Sequence, residues 1–413
     1  MKRIIPLLLA CALCLALVPT GCGSKPNTGD DDKVTVLTMW HVYGSQTESP
    51  LNDVIDEFNA TAGKEAGVYI NVTSVTDSGD IDSMLTATLE GLPGAMVMPD
   101  LFTAYPRVAE LFPEDALLDW SEYLTEEELA AYRSDFLSEG YFGEALYMLP
   151  IAKSSELLFV DKTLFDRFAA DTGVTLDCFN DMESLLAACD TYYDWSDGAT
   201  MFQINDFYHY FLANMTGAGE DFVVDGKINA DSAAFEAAFA PVAKAGIYGG
   251  LCVGDGYASD RWKTGEVICN IGSTAGILYL RDHVTYDDNT TEDIETLVLP
   301  YPCLTGVEPT VVQRGGGLFA MKSDNEEMNR AKAVFAAWIA EKEHNLDFVT
   351  RSGYLPVTDA AFETLFNELD RVENEKYRML YGAVSEQYDG GYQFCTPCRC
   401  STVRPTRRRA LKR

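Results

Sequence analysis

Histidine is scarce and scattered: His41, His209, His283 and His344 are the only four in 413 residues. That spread offers no ligand set for a structural zinc site. Basic residues are short too, with 31 Lys and Arg against 64 Asp and Glu, a formal net charge of −33. Nucleic-acid binding needs a Lys/Arg surface, so this balance argues against it. No GxSxG, HExxH, P-loop or GxGxxG element occurs, which removes the usual signatures of hydrolase, zinc-protease and nucleotide chemistry. Cysteine is thin in the body of the chain. Of 11, only Cys178, Cys189, Cys252, Cys269 and Cys303 lie between the two ends. Five wide-set residues with no CxxC read as buried thiols before a disulfide framework, though Cys178–Cys189 could close a short loop. Beyond residue 22 there is no apolar run of membrane-spanning length and no internal repeat.

What is present starts at the N-terminus. Lys2 and Arg3 precede a nearly unbroken apolar stretch over 4–18, and Thr20-Gly21-Cys22 puts small residues before a cysteine. This is an export signal, too short for a spanning helix with proper flanks. Its end resembles a bacterial lipoprotein lipobox, with Pro19 where Leu is usual. The resemblance implies a signal peptide over 1–21, cleavage before Cys22, diacylglycerol on the Cys22 thiol, and a flexible tether over 22–32. A plain secreted protein is the alternative. At the other end, residues 395–413 carry seven Lys or Arg and no acid; without them the net charge is −40. A basic interaction tail would read this way. The preferred reading is a frameshift near Cys395, because 398–404 reads in a neighbouring frame, given suitable codons, as Pro-Val-Phe-Asp-Gly-Ala. An intact frame on resequencing would exclude it.

The 392 residues after residue 21 are ample for two domains, and a 47% hydrophobic content supplies their cores. Residues 33–40 alternate as a first strand. Ser49-Pro50 starts a helix, with Ser as N-cap and Pro at N1, whose apolar stripe is Leu51, Val54, Ile55 and Phe58. A strand at 68–75, a helix at 81–92 and a short strand at 99–102 complete a β-α-β-α-β order. A second set follows, with strands at 156–160, 267–271 and 297–300 and helices at 163–170, 182–192 and 232–245. A further helix runs from 325 to about 340 and extends into 345–351. Phe235, Ala238, Phe239 and Val242 are expected to face inward from the 232–245 helix. The fold class expected is α/β, in two lobes, each a mainly parallel sheet flanked by helices.

Five segments, taken in order, carry a resemblance. They are Trp40-His41 at the end of the first strand; Pro99-Asp100-Leu101-Phe102; residues 149–165 (LPIAKSSELLFVDKTLF); Leu299-Pro300 followed by 315–322 and the Trp338 helix; and Ser352-Gly353-Tyr354-Leu355-Pro356-Val357. Over about 33–394 the chain resembles the extracellular solute-binding proteins of ABC importers (family 1, maltose-binding-protein-like), with Asp161 where Asn is common. That resemblance implies a two-lobe, type II periplasmic-binding-protein-like fold. Its lobes would comprise 33–151 with 303–352, and 152–302 with 353–394, around a ligand cleft at the hinge. It implies a monomer, without cofactor, that captures a sugar or oligosaccharide outside the cytoplasm and delivers it to a membrane permease.

General principle points to the same place, since ligands bind at the carboxyl ends of parallel strands. The candidates just after each strand are Trp40, His41 and Tyr43; Asp77, Ser78 and Asp80; Tyr105; Ser154 and Ser155 where the chain crosses between lobes; Ser273 and Thr274; and Tyr301. Arg314 precedes a triple glycine whose amides can approach a ligand closely, and Trp262 lies where the resembled family often approaches ligand. Aromatic rings for the CH faces of a sugar, and hydroxyls for its rim, suit a carbohydrate. Plain structural roles compete: core packing for Trp40 and Trp262, a helix N-cap for Asp80, tight packing for the glycines. A polyamine or an iron complex, with Tyr105, Tyr208 and Tyr210 as the opening for iron, and service to a membrane sensor remain as alternatives. So does a surface glycosidase, which needs two carboxylates astride a scissile bond.

Overall fold

The computed structural model describes residues 34–43, 49–75, 78–113, 115–254 and 256–397. The signal, Cys22, the tether, Asp77 and the basic tail from residue 398 lie outside these.

β1 (Thr35–His41) seeds the first sheet, pairing in parallel with β2 (Val68–Ser74) and β3 (Leu101–Ala104). Between β1 and β2 runs α1 (Pro50–Ala60), which buries Leu51, Val54, Ile55 and Phe58. Pro50 sits in its first turn, where a missing N–H costs nothing. Ser49 does not cap it; its hydroxyl donates instead to the Tyr43 carbonyl at 2.7 Å. α2 (Ser78–Leu89) covers the opposite face, with Ile81 and Leu85 against Trp40 and Phe102.

The chain leaves this sheet after β4 (Leu149–Pro150) and enters a second one as β5 (Glu156–Asp161), fully buried over its length. There follow α3 (Lys162–Thr172), α4 (Met182–Trp195), β6 (Phe202–Ile204), α5 (Phe207–Gly217), α6 (Ala233–Tyr248), β7 (Leu251–Cys252), β8 (Cys269–Ser273), β9 (Thr296–Pro300) and β10 (Thr310–Val312). The chain then returns as β11 (Gly317–Ala320), α7 (Glu326–Ala340) and α8 (Lys342–Thr350). It ends with α9 (Asp359–Asn367), α10 (Glu375–Asp389) and β12 (Gln393–Cys395).

The sheet orders are β2-β1-β3-β11-β4 and β7-β6-β8-β5-β9. Both sheets are mixed, with most of their strands running the same way, as expected. In each, four strands run the same way and one, β11 in the first sheet and β5 in the second, runs against them. The reason is the crossing. β5 and β11 each arrive from the other lobe at the end where the parallel strands finish, so each must run against them.

Three expectations change. Residues 303–312 belong with the second sheet, because Leu304 and Val311 pack with Phe202 and Ile204, and β10 pairs with β12. The return crossing is therefore at 313–316 and not at 303. The helix from 325 does not run through to 351; Glu341 takes an extended ψ of 144° and separates α7 from α8. Phe239, expected inward, is about half exposed, at the outer end of a stack of rings from Phe211, Phe222 and Phe235. The six described cysteines, Cys178, Cys189, Cys252, Cys269, Cys303 and Cys395, are free thiols.

Candidate functional site: a tyrosine-lined cleft at a three-segment hinge

Three segments cross between the sheets, and they hold one another as a narrow ladder. Ser154 and Arg314 exchange backbone hydrogen bonds of 2.9 and 2.7 Å, and Lys153 and Leu355 exchange 3.1 and 2.6 Å bonds. Strand alternation sends neighbouring side chains to opposite sides. Lys153, fully buried, donates to Glu139 at 2.7 Å. Glu139 also accepts from Gln313. On the other side Glu156, 2% exposed, accepts from Arg314 at 3.0 Å and from His209 at 3.1 Å. Burial works against the Arg314 charge, but Glu156, Tyr105 and Asp206 outweigh it and raise its pKa.

Parallel strands of both sheets finish at this hinge, and a cleft opens there with about 700 Å³ of free space, its mouth included. Tyr43 and Tyr105, after β1 and β3, form its first-sheet wall. Tyr257, Ser273 and Tyr279 come from the second-sheet side, and Ser154 and Tyr354 from the hinge. Gly315 and Gly316 form part of the floor. None of the described residues lining it is acidic. Tyr43 is wedged edge-on against Phe348 and Tyr354, with centroids 5.2 Å apart in both pairs. Its backbone N–H donates to His41 Nδ1 at 3.1 Å.

Of the residues expected at the site, the structure brings Tyr43, Tyr105, Ser154 and Ser273 to the cleft wall and Arg314 beside it. The others are placed elsewhere. β1 continues one residue past Trp40, so alternation turns Trp40 into the core under α2. His41, fully buried, binds Asn52 Oδ1 at 2.8 Å and supports Tyr43 from behind. Asp80 is exposed in the first turn of α2. Ser155 faces away from the cleft and donates to Gln387 at 3.1 Å. Trp262 closes a short helix whose inner face also carries Ala258, and its indole N–H donates to the Arg281 carbonyl at 3.1 Å. Thr274 is buried, its amide bound to the Ser155 carbonyl at 2.9 Å. Tyr301 turns into the second sheet's core.

Sequence reasoning missed Tyr257, Tyr279 and Tyr354. Tyr257 precedes that same short helix and faces out because its neighbour Ala258 faces in. Tyr354 lay within a segment read as a turn, and only the third crossing brings it to the cleft.

The glycines have a packing role as well. A Cβ on Gly316 would stand 2.4 Å from the Ala104 carbonyl, and one on Gly317 would stand 2.4 Å from that of Leu149. Both contacts are with backbone, which cannot step aside. Gly316→Ala is expected to cost about 1–3 kcal/mol, read as a lower urea midpoint at unchanged m-value; an unchanged midpoint would show that the floor has slack.

A family profile described as bacterial extracellular solute-binding protein matches residues 53–370. A comparison with curated protein sequences returns no match. Among solved structures, the GacH receptor of Streptomyces glaucescens, determined unliganded and with acarbose, matches with a TM-score of 0.67 at 15% identity, over 89% of this chain and 88% of that one. The cyclic α-maltosyl-1,6-maltose binding protein of Arthrobacter globiformis matches at 0.65 and 16%, over 88% of each chain. UgpB of Mycobacterium tuberculosis, in complex with glycerophosphocholine, matches at 0.66 and 16%, over 87% of each. At such identities the likeness is one of fold.

Proposed function

Since this chain belongs to the bacterial extracellular solute-binding proteins, we propose that its cleft captures a carbohydrate and presents it to the membrane permease of an ABC importer. The observation that carries the sugar assignment is the lining. Five tyrosines, Tyr43, Tyr105, Tyr257, Tyr279 and Tyr354, share the cleft with serine hydroxyls and, among the described residues, no acidic side chain. Tyrosine offers a ring face for sugar C–H groups and a hydroxyl for the rim. A polyamine would want carboxylates there. An anionic ligand would have to compete with Glu156 for Arg314. The acarbose-bound GacH receptor and the cyclic maltosyl-maltose binding protein support the same class. The protein acts by binding alone: ligand touching both lobes favours the closed form, which docks on the permease. Cys22 carries the lipid that keeps the monomer at the outer face of the membrane.

The test is a thermal-shift and Trp-fluorescence screen of residues 24–397 against a sugar panel, with polyamines, ferric chelates and glycerophosphocholine as controls. At about 100 times the dissociation constant, the right ligand adds roughly 2.7 kcal/mol. Tyr354→Ala should abolish that shift. A response only to a control would overturn the carbohydrate assignment. For the anchor, labelled palmitate should enter the full chain and not a Cys22→Ser variant.

A further inference from the structure

Glu156 is the first residue of β5, where the chain enters the second sheet, and only 2% of it is exposed. A carboxylate that deep in a hinge needs a reason. One oxygen, Oε1, receives both Arg314 Nη1 at 3.0 Å and His209 Nδ1 at 3.1 Å. His209 Nδ1 also lies 3.2 Å from Asp206 Oδ2. Both neighbours of that nitrogen are carboxylates, so it carries a hydrogen whatever the charge of the ring. His209 thus fixes the Glu156 carboxylate from the α5 side, leaving it aimed at Arg314. Arg314 in turn is tied by its backbone to Ser154; Gly315, next in the chain, lines the same cleft as Tyr105 of the first-sheet wall, and Tyr105 helps to hold the guanidinium charged. Tyr301, in the second sheet's core, and Cys395, packed against the cluster of Leu212, Met215 and Val312, also feel Glu156.

The order across the hinge is therefore Tyr105 of the first lobe, Arg314 of a crossing segment, and Glu156 with His209 of the second lobe. We propose that Glu156 is a positioning residue for ligand capture: it holds the Arg314 guanidinium across the hinge against the Tyr105 wall and so biases the two lobes towards closure. Opening the cleft draws Tyr105 away and lets water reach a charge pair that is strong only while shielded. The consequence for ligand rests on the binding-protein reading above; the effect on lobe opening does not.

The test compares wild type, Glu156→Gln, Arg314→Lys and Tyr105→Phe without ligand, by small-angle X-ray scattering of the folded protein. Glu156→Gln and Tyr105→Phe should both enlarge the radius of gyration, and Arg314→Lys, which keeps the charge, should enlarge it less. Once a sugar is found, Glu156→Gln should release it roughly tenfold faster with the association rate little changed. If Glu156→Gln does not fold, Tyr105→Phe decides the matter, since it deletes one hydroxyl at the cleft surface. Folded variants that scatter like wild type overturn the proposal even if a sugar binds. Enlarged variants in a protein that binds no sugar would leave the latch standing and overturn the ligand assignment.

Discussion

Replacing Lys153 with Met is expected to destabilise this protein by about 3–5 kcal/mol. Lys153 lies in the first crossing segment with no exposed surface, and its ammonium donates to Glu139 at 2.7 Å, within 5.9 Å of the Phe136 ring centroid. Burial pulls its pKa down, and Glu139 pushes it back up. The pair as a whole contributes little net stability, because desolvating two charges offsets most of their attraction. Removing one partner is different. Met fills most of the volume but takes the ammonium away from the Glu139 carboxylate, which is 12% exposed and also accepts from Gln313. The measurement is urea unfolding of Lys153→Met, Glu139→Gln and the double variant. The double variant should be more stable than the two single losses added together, because it strands no charge. A loss below about 1 kcal/mol in Lys153→Met would mean that water reaches the site.

Acid should weaken the protein through His41. Its Nε2–H donates to Asn52 at 2.8 Å, and its Nδ1 accepts from the Tyr43 amide at 3.1 Å. Both nitrogens are satisfied only in that neutral form. A second proton would set Nδ1–H against an N–H donor inside a site with no exposed surface. Burial is the main cause that brings the His41 pKa down to about 4, against an ordinary 6.5; the Asn52 contact acts weakly the other way. The sign follows. Above pH 6.5 neither the folded nor the unfolded chain holds this proton, and the stability is intact. Between 6.5 and 4 the unfolded chain takes the proton and the folded chain does not, so stability falls as pH falls. The full loss is about 3 kcal/mol. Asp161, whose carboxyl burial raises to about 6, works in the opposite direction below that pH, so the raw curve is not diagnostic. The difference between wild type and His41→Gln is. That difference should shrink by about 3 kcal/mol from pH 7 to pH 4, and a constant difference would place a water at Nδ1.

Both predictions concern residues behind the cleft, and the connection is functional. His41 holds the Tyr43 backbone, and Lys153 neighbours Ser154 in the chain. A cleft that shifts its equilibrium on binding needs walls that stay fixed while the hinge moves. Here the fixed parts are buried polar contacts that a single change leaves half satisfied.

The order of strands and helices was legible in the sequence because local patterns specify it. Alternation marked β1, the Ser-Pro step marked α1, and the short apolar runs marked β3, β8 and β9. The resemblance marked residues 149–165 as a passage from lobe to lobe and 352–357 as a closing turn. Helices α5, α9 and α10 went unread; α5 is apolar on nearly every side, which removes the period that a surface helix shows. Three matters belonged to tertiary structure alone. Strand direction in β5 and β11 follows from where each enters its sheet. The side that each site residue faces turned on a strand ending at 41 instead of 40, a shift of one residue that sends Trp40 into the core and leaves Tyr43 at the cleft. The meeting of Tyr105, Glu156, His209 and Arg314 joins parts of the chain up to 209 residues apart, and no local pattern encodes such a contact. Sequence by itself determined most of the segments that form and, through the resemblance, the expectation of two sheets with a cleft at the strand ends. Packing decided which side chains line that site, because orientation depends on what lies on the far side of each strand, and the far side is supplied by distant residues.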